Sequence, residues 1–482
     1  MTRTHRKSLG AYYTPPEVAA TLVRWAVRRP EERLLDPACG DGRFLARHPN
    51  STGVDCDDAA ISAATEAAPE SAIHAANFFE WALTRSERFD CAAGNPPFIR
   101  YQRFTGLTRE LALRICGSLG AQVSRLTSSW VPYLIVTASL LRKGGRIAFV
   151  VPAEIGHAPY AAPLLSWFAS RFEAVRVVAI REKVFRELSE DVWLLFADGY
   201  GSSTEALELS VMDRFNGSTS PPAGTTISLE EWRNWRCRLR PLLLPDRVRS
   251  EYRRLVAQKT TSTLGDFGSV GIGYVSGDND FFHLRPSAAR DLNIPDACLK
   301  PTVRRGRDLQ NGPITSATVS DWHRKDAPNF LLRLDAGPPP SSSVRRHLDS
   351  DAGRKARLRY KCRVRNPWYS VPNVTAPDLF LSYMSSGAPA LVENRAKCAC
   401  TNAVHAVRLR KSASRTALRR RWNSPLTALS CEIEGHPLGG GVLKLEPREA
   451  LRVAVPSEDP SPSTARLLRE GTEFMGAWRH RG

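Results

Sequence analysis

Paired cysteines are missing from this sequence. Its ten cysteines (Cys39, Cys56, Cys91, Cys116, Cys237, Cys298, Cys362, Cys398, Cys400 and Cys431) are scattered, and none stands in a C-x-x-C pair, so the usual spacing of a zinc site is absent. The one cluster, Cys398-x-Cys400 with His405, is too small for a ligand set, and no metal is expected. Long apolar runs are missing as well. The most apolar stretch, Trp130 to Leu141, ends at Arg142-Lys143 and is too short to span a bilayer. The basic stretch Met1 to Lys7 has no apolar core like that of a signal peptide. A cytoplasmic protein with reduced thiols and no membrane contact is therefore expected. Lysine is scarce too: the 68 basic residues are 57 Arg and only 11 Lys.

What the chain has in excess is positive charge, +19 over 482 residues. The excess is local. Residues 1–200 carry 24 basic and 21 acidic residues, a net +3, whereas residues 201–482 carry 44 and 28, a net +16. A half-chain that basic suits a polyanion, since each neutralised phosphate releases counterions. The Arg excess is equally what codon usage in a GC-rich genome produces. The length suggests two folded units.

The first 200 residues alternate strand and helix signals, as in a largely parallel sheet covered on both faces. Thr14-Pro15-Pro16-Glu17 looks like a helix start with a hydroxyl N-cap. Strands are predicted at 33–35, 52–54, 90–93, 146–151, 175–179 and 192–197, with a turn at 140–145. Asn216 to Gly224 reads as a linker or surface loop, Gly337 to Ser343 as a second loop, and the Pro/Ser-rich tail from Pro456 as adding no core.

Four strand ends carry candidate chemistry. Leu34 to Leu45 is a strand, a tight loop (Asp36-Pro37-Ala38-Cys39-Gly40-Asp41-Gly42) and a helix start. There the backbone can approach a ligand closely, unless the glycines serve only the turn; a dinucleotide site would want a third glycine where Leu45 stands. Asp55, ending Gly53-Val54-Asp55, can accept both hydroxyls of a ribose or else cap a helix, a task Asp57 or Asp58 could equally perform. Asn77 and Phe78 could bond and wall an adenine ring, or serve a turn. The sharpest signal is Gly94-Asn95-Pro96-Pro97-Phe98. Two prolines cannot donate backbone hydrogen bonds and hold the chain extended, leaving the Pro96 carbonyl available. With the Asn95 side-chain oxygen beside it and Phe98 as a flat face, the segment suits an exocyclic –NH₂ on a planar ring.

In this order and spacing the motifs resemble the S-adenosylmethionine-dependent amino-methyltransferases. Gly10-Ala11-Tyr12-Tyr13-Thr14-Pro15-Pro16 ahead of the Asp36–Gly40 loop narrows the resemblance to the γ-class N6-adenine DNA methyltransferases of type II restriction-modification systems. The resemblance covers about residues 8–200. It implies an α/β fold: a Rossmann-like, seven-stranded class I methyltransferase domain over residues 1–215, mixed because its last strand is antiparallel. A basic mixed α/β target-recognition domain over 225–455 and a tail, 456–482, follow. It implies a site-specific adenine methyltransferase using S-adenosylmethionine as cofactor. Tyr13, Thr14, Asp36, Ala38, Cys39 and Gly40 would hold it, with Asp55, Asn77, Phe78, Asn95 and Pro97. Asn77 stands where the family commonly has Asp. Asn95, Pro96, Pro97 and Phe98 would act on a flipped-out adenine, with Phe185 as second aromatic wall unless it is a core residue. No covalent intermediate is required, and the chain has no Pro-Cys dipeptide, which disfavours cytosine C5 chemistry.

In the second half, Val270 to Phe282 and Tyr360 to Tyr369 resemble the family's target-recognition domain more weakly. Arg304, Arg305, Arg307, Arg363, Arg365, Trp368 and Tyr369 are candidates for phosphate and base contacts, with a solvated basic face as the alternative. The expected partners are double-stranded DNA and a separate cognate restriction endonuclease; a monomer is expected. RNA or protein-glutamine amino-methylation is the alternative function, and a catalytically inactive DNA-binding relative is another.

Overall fold

Short apolar runs bounded by Asp, Gly and Pro become the central strands of one large sheet. The structure is a computed structural model and describes residues 14–185, 191–218, 220–309, 312–438 and 440–479. Tyr13 and the Gly10–Tyr12 opening lie outside these residues. The chain divides into two units, Met1–Leu244 and Pro245–Gly482.

In the first unit nine strands run in the order β3-β2-β1-β4-β5-β7-β6-β8-β9. They are β1 (Leu34–Asp36), β2 (Ser51–Asp55), β3 (Ala72–Ala75), β4 (Phe89–Gly94), β5 (Leu141–Pro152), β6 (Phe172–Ile180), β7 (Val192–Tyr200), β8 (Ala206–Met212) and β9 (Thr225–Ser228). Strands β1 to β5 run parallel to one another, and β7 runs antiparallel between β5 and β6. This is the expected mixed Rossmann-like sheet. It is extended by two strands the sequence did not announce: β8 is parallel to β6, and β9 is antiparallel to β8. Both lie at the sheet margin, where alternating burial lets polar residues interrupt the apolar run. Central β5, buried on both faces, shows the opposite pattern, with Ile147 to Val151 wholly inaccessible.

Three local readings change. Helix α1 (Pro16–Ala26) begins with Pro15 as N-cap, and Thr14 stands one residue outside it. Because the helix opens on a proline, one N–H fewer needs a capping hydroxyl. The predicted 140–145 turn lies mostly inside β5: helix α5 (Trp130–Ser139) stops just before it. Gly144, at φ +79°, permits a bulge where the β4 register jumps from Phe89↔Leu141 to Cys91↔Arg146. The 216–224 segment joins β8 to β9 within the first unit, so the break falls at Leu244/Pro245 and not near 215–225.

Val18, Ala19, Leu22, Val23 and Ala26 of α1 are at most 2% exposed and pack against the sheet. At about 25 cal/mol per Å², a buried leucine such as Leu22 stabilises this layer by about 1.5–3 kcal/mol.

The second unit is built on two four-stranded sheets. One pairs 268–272, 404–409, 379–382 and 391–393 antiparallel; the other orders 283–284, 330–332, 299–303 and 399–400, its last pair parallel. The C-terminal tail belongs to this core. Ser461 caps a helix, Pro462–Ala477, which packs on Pro425–Glu434 and buries Leu468 and Met475 completely. The Pro/Ser composition marks the helix start, not a loose end. Residues 201–244 contain five basic and five acidic residues, so the two units keep +3 and +16. Among the described residues no helix is long and apolar enough to cross a membrane.

Candidate active site

Strands β1 and β4 are parallel neighbours with Leu35 opposite Ala92, so Asp36 and Gly94, at their carboxyl ends, lie side by side. This is where the strand order reverses, the crevice open α/β sheets use for ligands. Asp36 is 1% exposed; its Oδ1 accepts the Ala38 N–H at 3.2 Å, and among the described residues its buried Oδ2 has no hydrogen-bond partner. Burial pushes the Asp36 carboxyl up to about 8, Asp55 and Asp41 adding repulsion against the Ala38 N–H that favours the anion. Gly94 is required by this carboxylate: a Cβ there would meet Asp36 Oδ1 at 2.6 Å.

The glycine loop folds back on β2. Gly40 and Gly42 take positive φ, +54° and +78°. Gly40 N–H donates to Asp55 Oδ2 at 2.9 Å, and Cys39 N–H to the Val54 carbonyl at 3.0 Å. Asp55 Oδ1 also accepts the Cys56 and Asp57 amides. Asp57 itself caps helix α2 (Asp58–Ala67), so Asp55 is released from that task and organises the loop. The helix expected after the loop is reduced to a single 3₁₀ turn, Leu45–Arg47. Leu45, where a dinucleotide fold would carry glycine, fills the space below Gly53, whose Cβ would lie 2.5 Å from Leu45 Cδ1. Arg43 ties the loop to the start of α1, donating to Asp41 Oδ2 at 2.7 Å and to the Thr14 carbonyl at 2.9 Å.

At the end of β3, Asn77 caps helix α3 (Phe78–Leu83): its Oδ1 accepts the Phe79 N–H at 3.0 Å, and its Nδ2 donates to Thr108 at 3.0 Å. Both ends of the amide thus have structural work. Phe78 is buried and stacks on Tyr133 of α5, ring centroids 5.2 Å apart. Tyr133 was missed from the sequence because an aromatic in the apolar run 130–141 looks like core. Its phenol is pushed up by burial first and then by the charges of Cys56 and Asp55.

After Gly94 the chain leaves the sheet as Asn95-Pro96-Pro97-Phe98. Ser129, fully buried, holds this turn: its hydroxyl donates to the Pro97 carbonyl and accepts the Ile99 N–H at 2.9 Å, while its own N–H donates to the Ile99 carbonyl at 3.0 Å. The hydroxyl run Thr127-Ser128-Ser129 ahead of an apolar helix was the available sequence signal. Phe98 is half-buried against the apolar cluster that contains Phe185, itself 7% exposed. The two proposed walls therefore share one cluster, and Phe185 also serves the core.

In the second unit the candidate cations separate. Arg305, Arg307 and Arg363 are exposed. Arg365 is tied into the fold, donating to the carbonyls of Val275 and Ser276, and Arg304 donates to the Pro328 carbonyl at 3.0 Å. Burial lowers the pKa of both guanidinium groups. Trp368 and Tyr369 lean on the Phe281 and Phe282 cluster, and the Tyr369 hydroxyl donates to the Gly337 carbonyl.

Residues 1–65 match the family described as N-6 DNA Methylase, and residues 238–476 match the C-terminal domain of the type II methyltransferase M.Eco57I. The type II methyltransferase M.AccI of Acinetobacter calcoaceticus is 19% identical over 428 residues, 84% of this chain and 76% of that one. M.XamI of Xanthomonas campestris pv. amaranthicola is 21% identical over 473 residues, 93% and 85% of the two chains. Among solved structures, the type IIL restriction-modification enzyme MmeI, determined in complex with DNA, superposes with a TM-score of 0.55 at 13% identity. The match covers 100% of this chain and 78% of that one. Of the type IIG restriction endonuclease BpuSI the chain spans only 61%. Two family models, over residues 1–65 and 238–476, and two relatives aligned over most of the chain thus agree in supporting a type II DNA methyltransferase.

Proposed function

We propose that this DNA methyltransferase acts on the N6 amine of adenine in duplex DNA, rotating the target base out of the stack and protecting host DNA beside a separate endonuclease. One observation carries the reading: a buried carboxylate with an unmet oxygen lies against Gly94, one residue before the Asn95-Pro96-Pro97-Phe98 turn. A site for a cation and a site for an amine on a planar ring are thus joined by a single peptide.

The residues present fit S-adenosylmethionine, which is cationic at its sulfonium and ammonium groups. Asp36, Asp41 and Asp55 converge on one loop. Thr14, Asp36 and the Ala38–Gly40 backbone would hold the methionine part, Asp55 the ribose, and Phe78 with Tyr133 the adenine; Tyr13 would complete the first group. When bound, the cofactor supplies an electrophilic methyl group.

The remaining steps belong to the chain's own side chains. Phe98 and Phe185 stack the extruded base, which offsets part of the roughly few kcal/mol that unstacking costs. Asn95 Oδ1 and the Pro96 carbonyl accept the two N6 hydrogens, drawing the nitrogen toward tetrahedral geometry and freeing its lone pair. Ser129 holds the turn so that these acceptors do not swing, and positioning supplies much of the rate.

The test is to sequence DNA from a host expressing the protein with a method that reports N6-methyladenine. A single methylated motif, absent with Asn95→Ala, is expected. Unmodified DNA alongside folded, cofactor-binding protein refutes the proposal.

A further inference from the structure

Residues 353–365 form a mount with a period of three. Gly353, Ala356 and Cys362 are buried, Arg359 pairs with Asp278 at 3.4 Å, and Arg365 grips the Val275 and Ser276 carbonyls. The short helices Asp351–Leu358 and Tyr360–Arg363 are thereby fixed through every third residue, and the residues between turn outward. Leu358 is 74% exposed, Tyr360 65% and Val364 60%. Three large apolar side chains facing water within seven residues have no folding rationale, since exposure forfeits the stabilisation that burial of each would supply. They stand among Lys355, Arg357, Lys361 and Arg363, which are exposed and make no ion pair among the described residues. No acidic residue occurs from Arg354 to Arg365.

An apolar tip ringed by unpaired cations is complementary to a stack of bases between two rows of phosphates. Apolar wedges of this kind insert at base steps while surrounding cations hold the backbone. Resting on the DNA-methylation reading above, we infer that Leu358, Tyr360 and Val364 form a wedge that inserts between stacked bases of the duplex, while Lys355, Arg357, Lys361 and Arg363 clamp the flanking phosphates.

The test compares two variants of the full chain on a random-sequence duplex across a salt series, with the calorimetric melting transition of the second unit as the control for folding. Leu358→Ser/Tyr360→Ser/Val364→Ser should bind roughly tenfold more weakly with an unchanged salt slope, because it loses stacking and not charge. Lys355→Gln/Arg357→Gln/Lys361→Gln/Arg363→Gln should flatten the slope by about 0.9 per cation removed. In a duplex carrying 5-iododeoxyuridine, Tyr360 should photocross-link. The wedge is refuted if the triple variant binds as tightly as wild type, or if it only dissolves a self-association of the protein. Wild type that binds no duplex at all sinks the DNA reading itself, an outcome distinct from the first.

Discussion

The Asp36 carboxyl is held where it is costly to ionise, and under the proposed function that cost serves binding. Burial and two neighbouring carboxylates raise it to about 8, so in the free protein the group carries a proton at neutral pH. A cationic ligand favours the anion, so binding should release a proton, and cofactor affinity should fall about tenfold per pH unit below about 8 and level off above it. Calorimetry in buffers of different ionisation enthalpy checks both the slope and the proton. For stability the sign is reversed. The folded state binds the proton more tightly than the unfolded state, whose value is near 3.8, so stability declines as pH rises from about 4 toward 8. Asp36→Asn should therefore lose cofactor binding yet melt a few degrees higher near pH 8, with the difference vanishing below about pH 4. Asp36 was named from sequence because it ends an apolar strand ahead of glycines. Its unmet oxygen was not legible, since that depends on which groups from β2 and β4 come near.

At the scale of elements, the site is a consequence of adjacency between β1 and β4. Their parallel pairing puts the glycine loop and the proline turn at one edge of the sheet, and helix α5 then locks the turn through Ser129. Because Pro96 and Pro97 have no N–H, the turn cannot be tied through its own amides there, and an outside hydroxyl takes that role. Ser129→Ala should leave S-adenosylmethionine affinity unchanged while reducing kcat by about 10–100-fold, as loss of positioning does. Ser129→Thr should recover part of it. Equal losses in cofactor affinity and kcat would assign Ser129 to folding alone. Asn77 and Asp55 teach the complementary lesson: both were correctly placed at strand ends, and both prove to be bonded to the backbone as cap and loop brace. Strand ends are readable from short apolar runs, but competition for a polar atom is settled only once the loops have closed.

For the molecule as a whole, the charge divides with the units: the one with the crevice carries +3 and the other +16. The tail is the main correction at this scale, because Leu468 and Met475 are wholly buried in the second unit. Leu468→Ala should cost about 2–5 kcal/mol in that unit and lower its melting transition, while the transition that responds to S-adenosylmethionine stays in place. Calorimetric scans with and without cofactor separate the two transitions. Sequence alone determined the class of sheet, the glycine loop, the carboxylate at the end of β1 and the Asn-Pro-Pro-Phe turn. Each is a local pattern whose backbone preferences and polarity are present in the unfolded chain. Tertiary structure decided which arginines stay exposed and which brace carbonyls, that Phe185 shares a cluster with Phe98, that Ser129 ties the proline turn and that Tyr133 stacks on Phe78. Those properties are set by burial and by partners far apart in the chain, and neither exists until the units have packed.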